Sequence, residues 1–118
     1  VGAKLLGTNL GGARLAGANL GGARLAGVDL SSADLNHTEL TNSIIINPNY
    51  ESLTINSSTQ FNNATIDDPQ FIDYISQFTR NVPQKIKDKK KLKRELVKKG
   101  VSDESIEELL TNSKLPEE

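Results

Sequence analysis

The sequence has no cysteine, methionine or tryptophan, and only three phenylalanines, two tyrosines and one histidine. Without cysteine, disulfides, thiolate metal sites and thiol catalysis are excluded. That composition fits a reducing compartment, so a cytoplasmic location is expected. The lone histidine, His37 in "LNHTEL", has no second imidazole to work with. Zinc needs three or four ligands, and a hydroxyl nucleophile needs a base beside it. His37 therefore reads as a polar surface residue, and we expect no catalytic residue, no metal, no cofactor and no enzyme. No apolar run approaches the ~18–20 residues of a membrane span, and no signal peptide is expected within these residues. The first residue is Val1 rather than Met, so we expect a fragment or processed product whose natural N-terminus is missing. The net charge of −1 favours neither nucleic acid nor an acidic ligand globally. With so few aromatics in 118 residues, an ordinary globular core is hard to fill. A stack of small repeated layers escapes that difficulty.

What is present is a grid. In the first forty residues, Leu5, Leu10, Leu15, Leu20, Leu25, Leu30, Leu35 and Leu40 recur every five residues, and only Leu6 falls outside. Two residues before each stands a small or short side chain: Ala3, Thr8, Ala13, Ala18, Ala23, Val28, Ala33 and Thr38. Between them lies a polar residue: Lys4, Asn9, Arg14, Asn19, Arg24, Asp29, Asp34 and Glu39. A period of five fits neither a helix nor a continuous strand. Within one unit, however, the small residue and the leucine are two apart, so they share one side of an extended piece while the polar residue faces the other. The remaining two residues are Gly, Ser, Ala, Asn or Thr, which suit a turn. Such units wind the chain with Ala and Leu always inside, and successive windings can stack at the ~4.8 Å strand spacing. This reading disposes of a phosphate loop at "GANLGG", which lacks the following Lys-Ser/Thr. It also disposes of a spanning helix at Gly17–Gly21, flanked by Arg14 and Arg24.

The units "ANLGG", "VDLSS" and "ADLNH" resemble the pentapeptide-repeat proteins. The resemblance implies a mainly-β fold, a right-handed quadrilateral β-helix with about four units per coil and about three coils here. Residues twenty apart would then stack: Leu5 under Leu25 and Ile45, Leu10 under Leu30, Arg14 beside Asp34, Asn19 beside Glu39. The expected interior comprises the leucines from Leu5 to Leu40, Ala13, Ala18, Ala23, Ala33, Ile45, Phe61 and Ile66.

Beyond about residue 46 the grid degenerates. Tyr50 and Ile55 keep register, with Pro48 and Leu53 at the small-residue sites, and "TQFNNATI" restores the pattern one residue late. One extra residue between Ile55 and Phe61 would bulge a corner and leave the winding intact; alternatively "NPNYESLTI" leaves it as a loop. Glycosylation-like triplets at Asn36, Asn56 and Asn63 arise readily in so Asn/Thr-rich a stretch and are read as composition. We expect the repeat over 1–67 and an α-helical region over 68–118.

In that second region, Asp68 as N-cap and Pro69 at the first position predict a helix. Phe71, Ile72, Ile75 and Phe78 would share its apolar face and cap the last coil. Pro83 is expected to open a second helix and Gly100 to close it, with Ile86, Leu92, Leu96 and Val97 as a thin apolar stripe. A third begins after Ser102, with Asp103 and Glu104 in its first turn, and "NSKLPEE" reads as a frayed end. Charge is segregated: ten bases and two acids lie between Arg80 and Lys99, then four acids and no base between Asp103 and Glu108.

These features predict a non-enzymatic structural scaffold or protein–protein interaction module, its partner an unidentified protein or a second copy meeting it through a coil end or the helical tail. The competing reading is nucleic-acid binding through a basic helix over 85–99. Its surface would be Lys85, Lys87, Lys89, Lys90, Lys91, Lys93, Arg94, Lys98 and Lys99. Against it, no aromatic is interleaved for stacking on bases. Resemblance to pentapeptide-repeat proteins that protect type II topoisomerases implies a third reading, DNA mimicry. Three bases against four acids in residues 1–66 make a poor polyanion.

Overall fold

A computed structural model describes residues 4, 5 and 7–118. The expectations for Val1 as an open edge, for Ala3 as a small-residue site and for Leu6 lie outside the described residues. Three short strands, β1 (Arg24–Ala26), β2 (Ile44–Ile46) and β3 (Thr65–Ile66), pair in parallel in the order β1-β2-β3. Leu25 is level with Ile45, and Ile45 with Ile66. Isolated parallel bridges continue the same register around the molecule. Lys4 pairs with Arg24; Asn9 with Asp29 and Asp29 with Asn49; Arg14 with Asp34 and Asp34 with Thr54; Asn19 with Glu39 and Glu39 with Gln60. The chain therefore passes over itself every twenty residues in four rows, one per five-residue unit. "NPNYESLTI" stays in these rows rather than looping out.

The corners follow from the two residues after each leucine. Ala13 N–H donates to the Leu10 carbonyl at 2.9 Å while Gly12 sits at φ 69°, the signature of a type II turn. The equivalent corner residue has positive φ at Ser32, His37, Asn42, Asn47, Ser52 and Asn63. Short polar side chains tolerate that region through local hydrogen bonds.

Inside, Leu25, Leu30, Leu35, Leu40 and Ile45 are at most 1% exposed, and Ala23 and Ala33 are fully covered. Leu5, Leu10, Leu15, Leu20, Ala13 and Ala18 were expected to be equally buried, yet they are only half-buried. They form the lowest level, and no described residue packs beneath them. Two buried threonines at small-residue sites tie levels together. Thr38 donates its hydroxyl to the Leu15 carbonyl at 2.8 Å, and Thr59 to that of Leu35 at 2.7 Å. The extra residue is taken up at Asn56: Asp34 and Thr54 are twenty apart in register, Glu39 and Gln60 twenty-one. Asn56 Oδ1 accepts from Ser58 and His37 N–H, both at 3.1 Å, which pins the enlarged corner.

The helix α1 (Pro69–Ser76) starts where Asp68 Oδ1 accepts from the Gln70 and Phe71 N–H groups. Phe71, Ile72 and Ile75 are buried against Phe61, Ile66 and Ile55. All five aromatics of the chain gather here. Phe71 meets Tyr50 and Phe61 edge-on, at 5.0 and 6.2 Å between ring centroids, and Tyr74 lies against Tyr50 and Phe78. Phe78 departs from expectation: the helix ends at Ser76, and Phe78 is 40% exposed, leaning on Tyr74 at the rim. Thr79 then donates to the Thr59 carbonyl at 3.0 Å, continuing the threonine row one level higher.

Two helices cover the β1-β2-β3 face. The second, α2, is Lys89–Lys98 and the third, α3, is Asp103–Asn112. The expected start at Pro83 is displaced because Asp88, not Pro83, supplies the cap: its carboxylate accepts from Lys91 N–H at 2.8 Å. Lys85 and Lys87 consequently lie before the helix, and Lys99 is its C-cap. Gly100 closes α2 at φ 78°, with Gly100 N–H on the Val97 carbonyl and Val101 N–H on that of Leu96. Leu92, Leu96, Ile106, Leu109 and Ile86 bury against Ala26, Ile44 and Ile46. Val97, expected in the apolar stripe, is 56% exposed because Leu92 and Leu96 fill that contact.

The tail after α3 is not frayed. Ser113 is buried and donates its hydroxyl to Asp67 Oδ2 at 2.7 Å, and Lys89 N–H donates to the Pro116 carbonyl at 2.7 Å.

Candidate interaction surface

The outward polar residues of the repeat have a local task that the sequence reading missed. Asn9, Asn19, Asp29, Asp34 and Asn49 each accept, through Oδ1, the N–H two residues on. Glu39 does the same for Thr41 and also takes its hydroxyl. This Asx-type bond at these corners explains the preference for Asn and Asp in the middle of the unit. The Ser31 hydroxyl and N–H hold the Asp29 carboxyl below its ordinary range. Asp34 is likewise bound to Asn36 N–H at 3.0 Å, and no ion pair with Arg14 forms beside it among the described residues.

His37 is exposed at a corner with φ 60°, its Nε2 3.2 Å from Asn56 Nδ2. Of the glycosylation-like asparagines, Asn63 gives its side-chain amide to Asn42 Oδ1 at 2.6 Å, and Asn56 engages His37. No group of three His, Cys, Asp or Glu able to hold a metal occurs among the described residues.

The basic residues expected to form one surface divide into two sets. Lys85 pairs with Asp73 at 2.6 Å and Lys89 with Glu117 at 3.4 Å. Lys91 and Lys98 both pair with Glu95, at 3.3 and 3.2 Å. The hydrogen bond from Lys98, helped by Lys91, holds the Glu95 carboxyl below its ordinary range against the opposing effect of desolvation. Lys99 donates Nζ to the Asn63 carbonyl, reaching back to a corner of the repeat. Partial burial lowers its pKa, and Glu95 counters that only in part. The other set, Lys87, Lys90, Lys93 and Arg94, has no carboxylate within 4 Å among the described residues. Lys90, Lys93, Arg94 and Val97 share one exposed face of α2, at spacings of three and four.

Asp103, Glu104, Glu107 and Glu108 are exposed on α3, and no ion pair joins α2 to α3 among the described residues. The helices meet through apolar side chains, and their charges point outward in opposite signs. Neighbouring helices that touch along an apolar seam turn their polar faces apart.

A residue that sequence reading passed over entirely is Asp67. It is 2% exposed, and its two oxygens accept from Asn47 N–H at 2.8 Å and from the Ser113 hydroxyl. Burial raises its pKa, and those two hydrogen bonds oppose the rise. Adjacent Asp67–Asp68 reads as helix capping, and nothing local in the sequence announces Ser113 as a partner.

A search of curated proteins finds no match to this sequence. Among solved structures, the chain is similar to a pentapeptide repeat protein from the Arabidopsis thaliana thylakoid lumen. The two are 27% identical, the match covers 69% of this chain and 59% of that one, and the TM-score is 0.43. Residues 8–45 match the family model for pentapeptide repeats in eight copies. That match falls on the leucine grid and on the twenty-residue register of the bridges, so over residues 8–45 the chain is similar to the pentapeptide-repeat proteins.

Proposed function

We propose that the chain is a non-enzymatic scaffold with a protein-interaction module at its C-terminal end. Residues 1–67 are read as a right-handed quadrilateral β-helix of about three coils, and residues 68–118 as an α-helical region in which α1 caps the last coil and α2–α3 present the docking surface. Four rows of parallel bridges and the aromatic packing of α1 support the architecture. The observation that carries the functional reading is the outward segregation of charge on α2 and α3. Lys90, Lys93 and Arg94 surround an exposed Val97 on one helix, and four acids stand on the next. A basic face around an exposed apolar side chain, with a separate acidic face on the neighbouring helix, suits a protein partner that offers both signs of charge. A second copy of this chain offers the same complementarity. The absence of cysteine supports a cytoplasmic setting, and no helix among the described residues is long and apolar enough to cross a membrane.

Nucleic-acid binding through Lys85–Lys99 is the second reading, favoured by Lys87, Lys90, Lys93 and Arg94, which have no carboxylate within 4 Å among the described residues. A salt titration with random duplex DNA separates the two: binding whose affinity falls steeply with salt supports nucleic acid. Absence of DNA binding at low salt, with a protein partner captured in a nuclease-insensitive way and lost in K90E/K93E/R94E, supports the interaction module. DNA mimicry is disfavoured by the near-neutral repeat, and a topoisomerase-protection assay without effect removes it.

A further inference from the structure

One cleft, with a volume of about 700 Å³, lies where four separate segments meet. Its floor and walls are Pro48, Pro69, Ile86, Leu115 and Pro116. Three of these five are prolines, whose fixed φ makes the walls stiff. Its volume is in the range of small-molecule sites, which combine apolar walls with a few polar anchors.

The polar groups around it are unevenly satisfied. Asp67 and Asp68 line the cleft, but both already accept from within the protein: Asp67 from Asn47 N–H and the Ser113 hydroxyl, Asp68 from the first N–H groups of α1. Lys85 is paired with Asp73. Lys87 and Lys114 also line the cleft and have no carboxylate within 4 Å among the described residues. The site thus presents apolar walls, two carboxylates engaged within the protein and, among the described residues, two ammonium groups without a carboxylate partner.

We propose that this cleft binds a small organic anion with an apolar body, a carboxylate on an aliphatic or aromatic skeleton, its charge on Lys87 and Lys114 and its body against Ile86, Leu115 and the prolines. Bound there, it bridges the Asn47–Pro48 corner, the start of α1, the segment before α2 and the C-terminal tail, so it also strengthens the docking of the tail. The site is separate from the outer faces of α2 and α3 and does not depend on their role.

The test is a titration of the intact chain with dodecanoate, followed by amide chemical shifts. We expect saturable, one-to-one shifts at Gln70, Ile86, Lys87 and Leu115. Dodecan-1-ol, which lacks the carboxylate, should bind more weakly. K87E/K114E changes two exposed side chains and should retain the native spectrum while losing more than about tenfold in affinity. K90E/K93E, the same charge change on the outer face of α2, should bind as the unaltered chain does. Absence of saturable shifts, shifts confined to the half-buried Leu5–Leu20 level, or equal affinity in K87E/K114E would each overturn the proposal.

Discussion

The stacked repeat and the helical tail are of similar size but are held together differently. In the repeat, each contact recurs: a leucine covers a leucine twenty residues on, a carbonyl meets an N–H one level up, and each Asx bond closes the next corner. In the tail, each contact occurs once. Leu92 and Leu96 meet Ala26, Ile44 and Ile46; Asp67 meets Ser113; Lys99 meets Asn63. Recurrent contacts spread stability over many equivalent sites, whereas single ones concentrate it on a few residues. The aromatic cluster of Tyr50, Phe61, Phe71 and Tyr74 joins the two modes, because the repeat end and α1 share one core there.

Mutations at that junction should cost most. Phe61→Ala, at a fully buried ring, is expected to destabilise by ~3–5 kcal/mol in urea unfolding. Leu10→Ala, at the half-buried level, should cost clearly less. Equal losses would mean that position in the stack does not matter. Leu96→Ala is expected to cost ~2–4 kcal/mol and to act on the tail first. Hydrogen exchange should then quicken in α2 and α3 before the bridges of the repeat. Simultaneous loss of protection in both would show one cooperative unit and break the distinction drawn above.

Smaller effects test the corners. Gly12→Ala meets no atom within 4 Å of the new Cβ, so its cost is the positive φ alone, about 1 kcal/mol. A thermal melt unchanged by this substitution would remove the turn geometry as a determinant. Asp67→Asn tests a pH dependence rather than a fixed loss, because the two chains should differ in slope within one pH window. The folded pKa of Asp67 is raised above the ordinary aspartate value of 3.8, so between the two the native state binds more protons than the unfolded chain. Stability from this group is therefore full at lower pH and declines as pH rises through the window. The amide introduced by Asp67→Asn has no ionisable proton, so the stability of that variant should vary less with pH there. Parallel pH profiles for the two chains would show that the carboxyl is not in the buried setting described.

The leucine grid was legible because a five-residue period with fixed small, polar and apolar sites leaves the chain few ways to bury its leucines. The helix caps at Asp68 and Ser102 and the stop at Gly100 were legible for the same kind of reason, since each acts within a few residues. The run Ile44–Ile46 carried an unread signal. Apolar residues stand there at sites that elsewhere face outward, which marks the face that α2 and α3 cover. Asp88 as the cap of α2 was equally local, and Pro83 masked it.

By itself, then, the sequence determined what repeats and what is local: the winding, the inward leucines, the corner residues and the helix ends. Their causes lie within one unit or one helical turn. Only the tertiary structure decided where the five aromatics converge, which face of the repeat receives the tail, that Ser113 reaches Asp67 and that the charges of α2 and α3 turn outward. Each joins residues far apart in sequence and occurs once, so no period announces it; packing of the remaining apolar surface selects it.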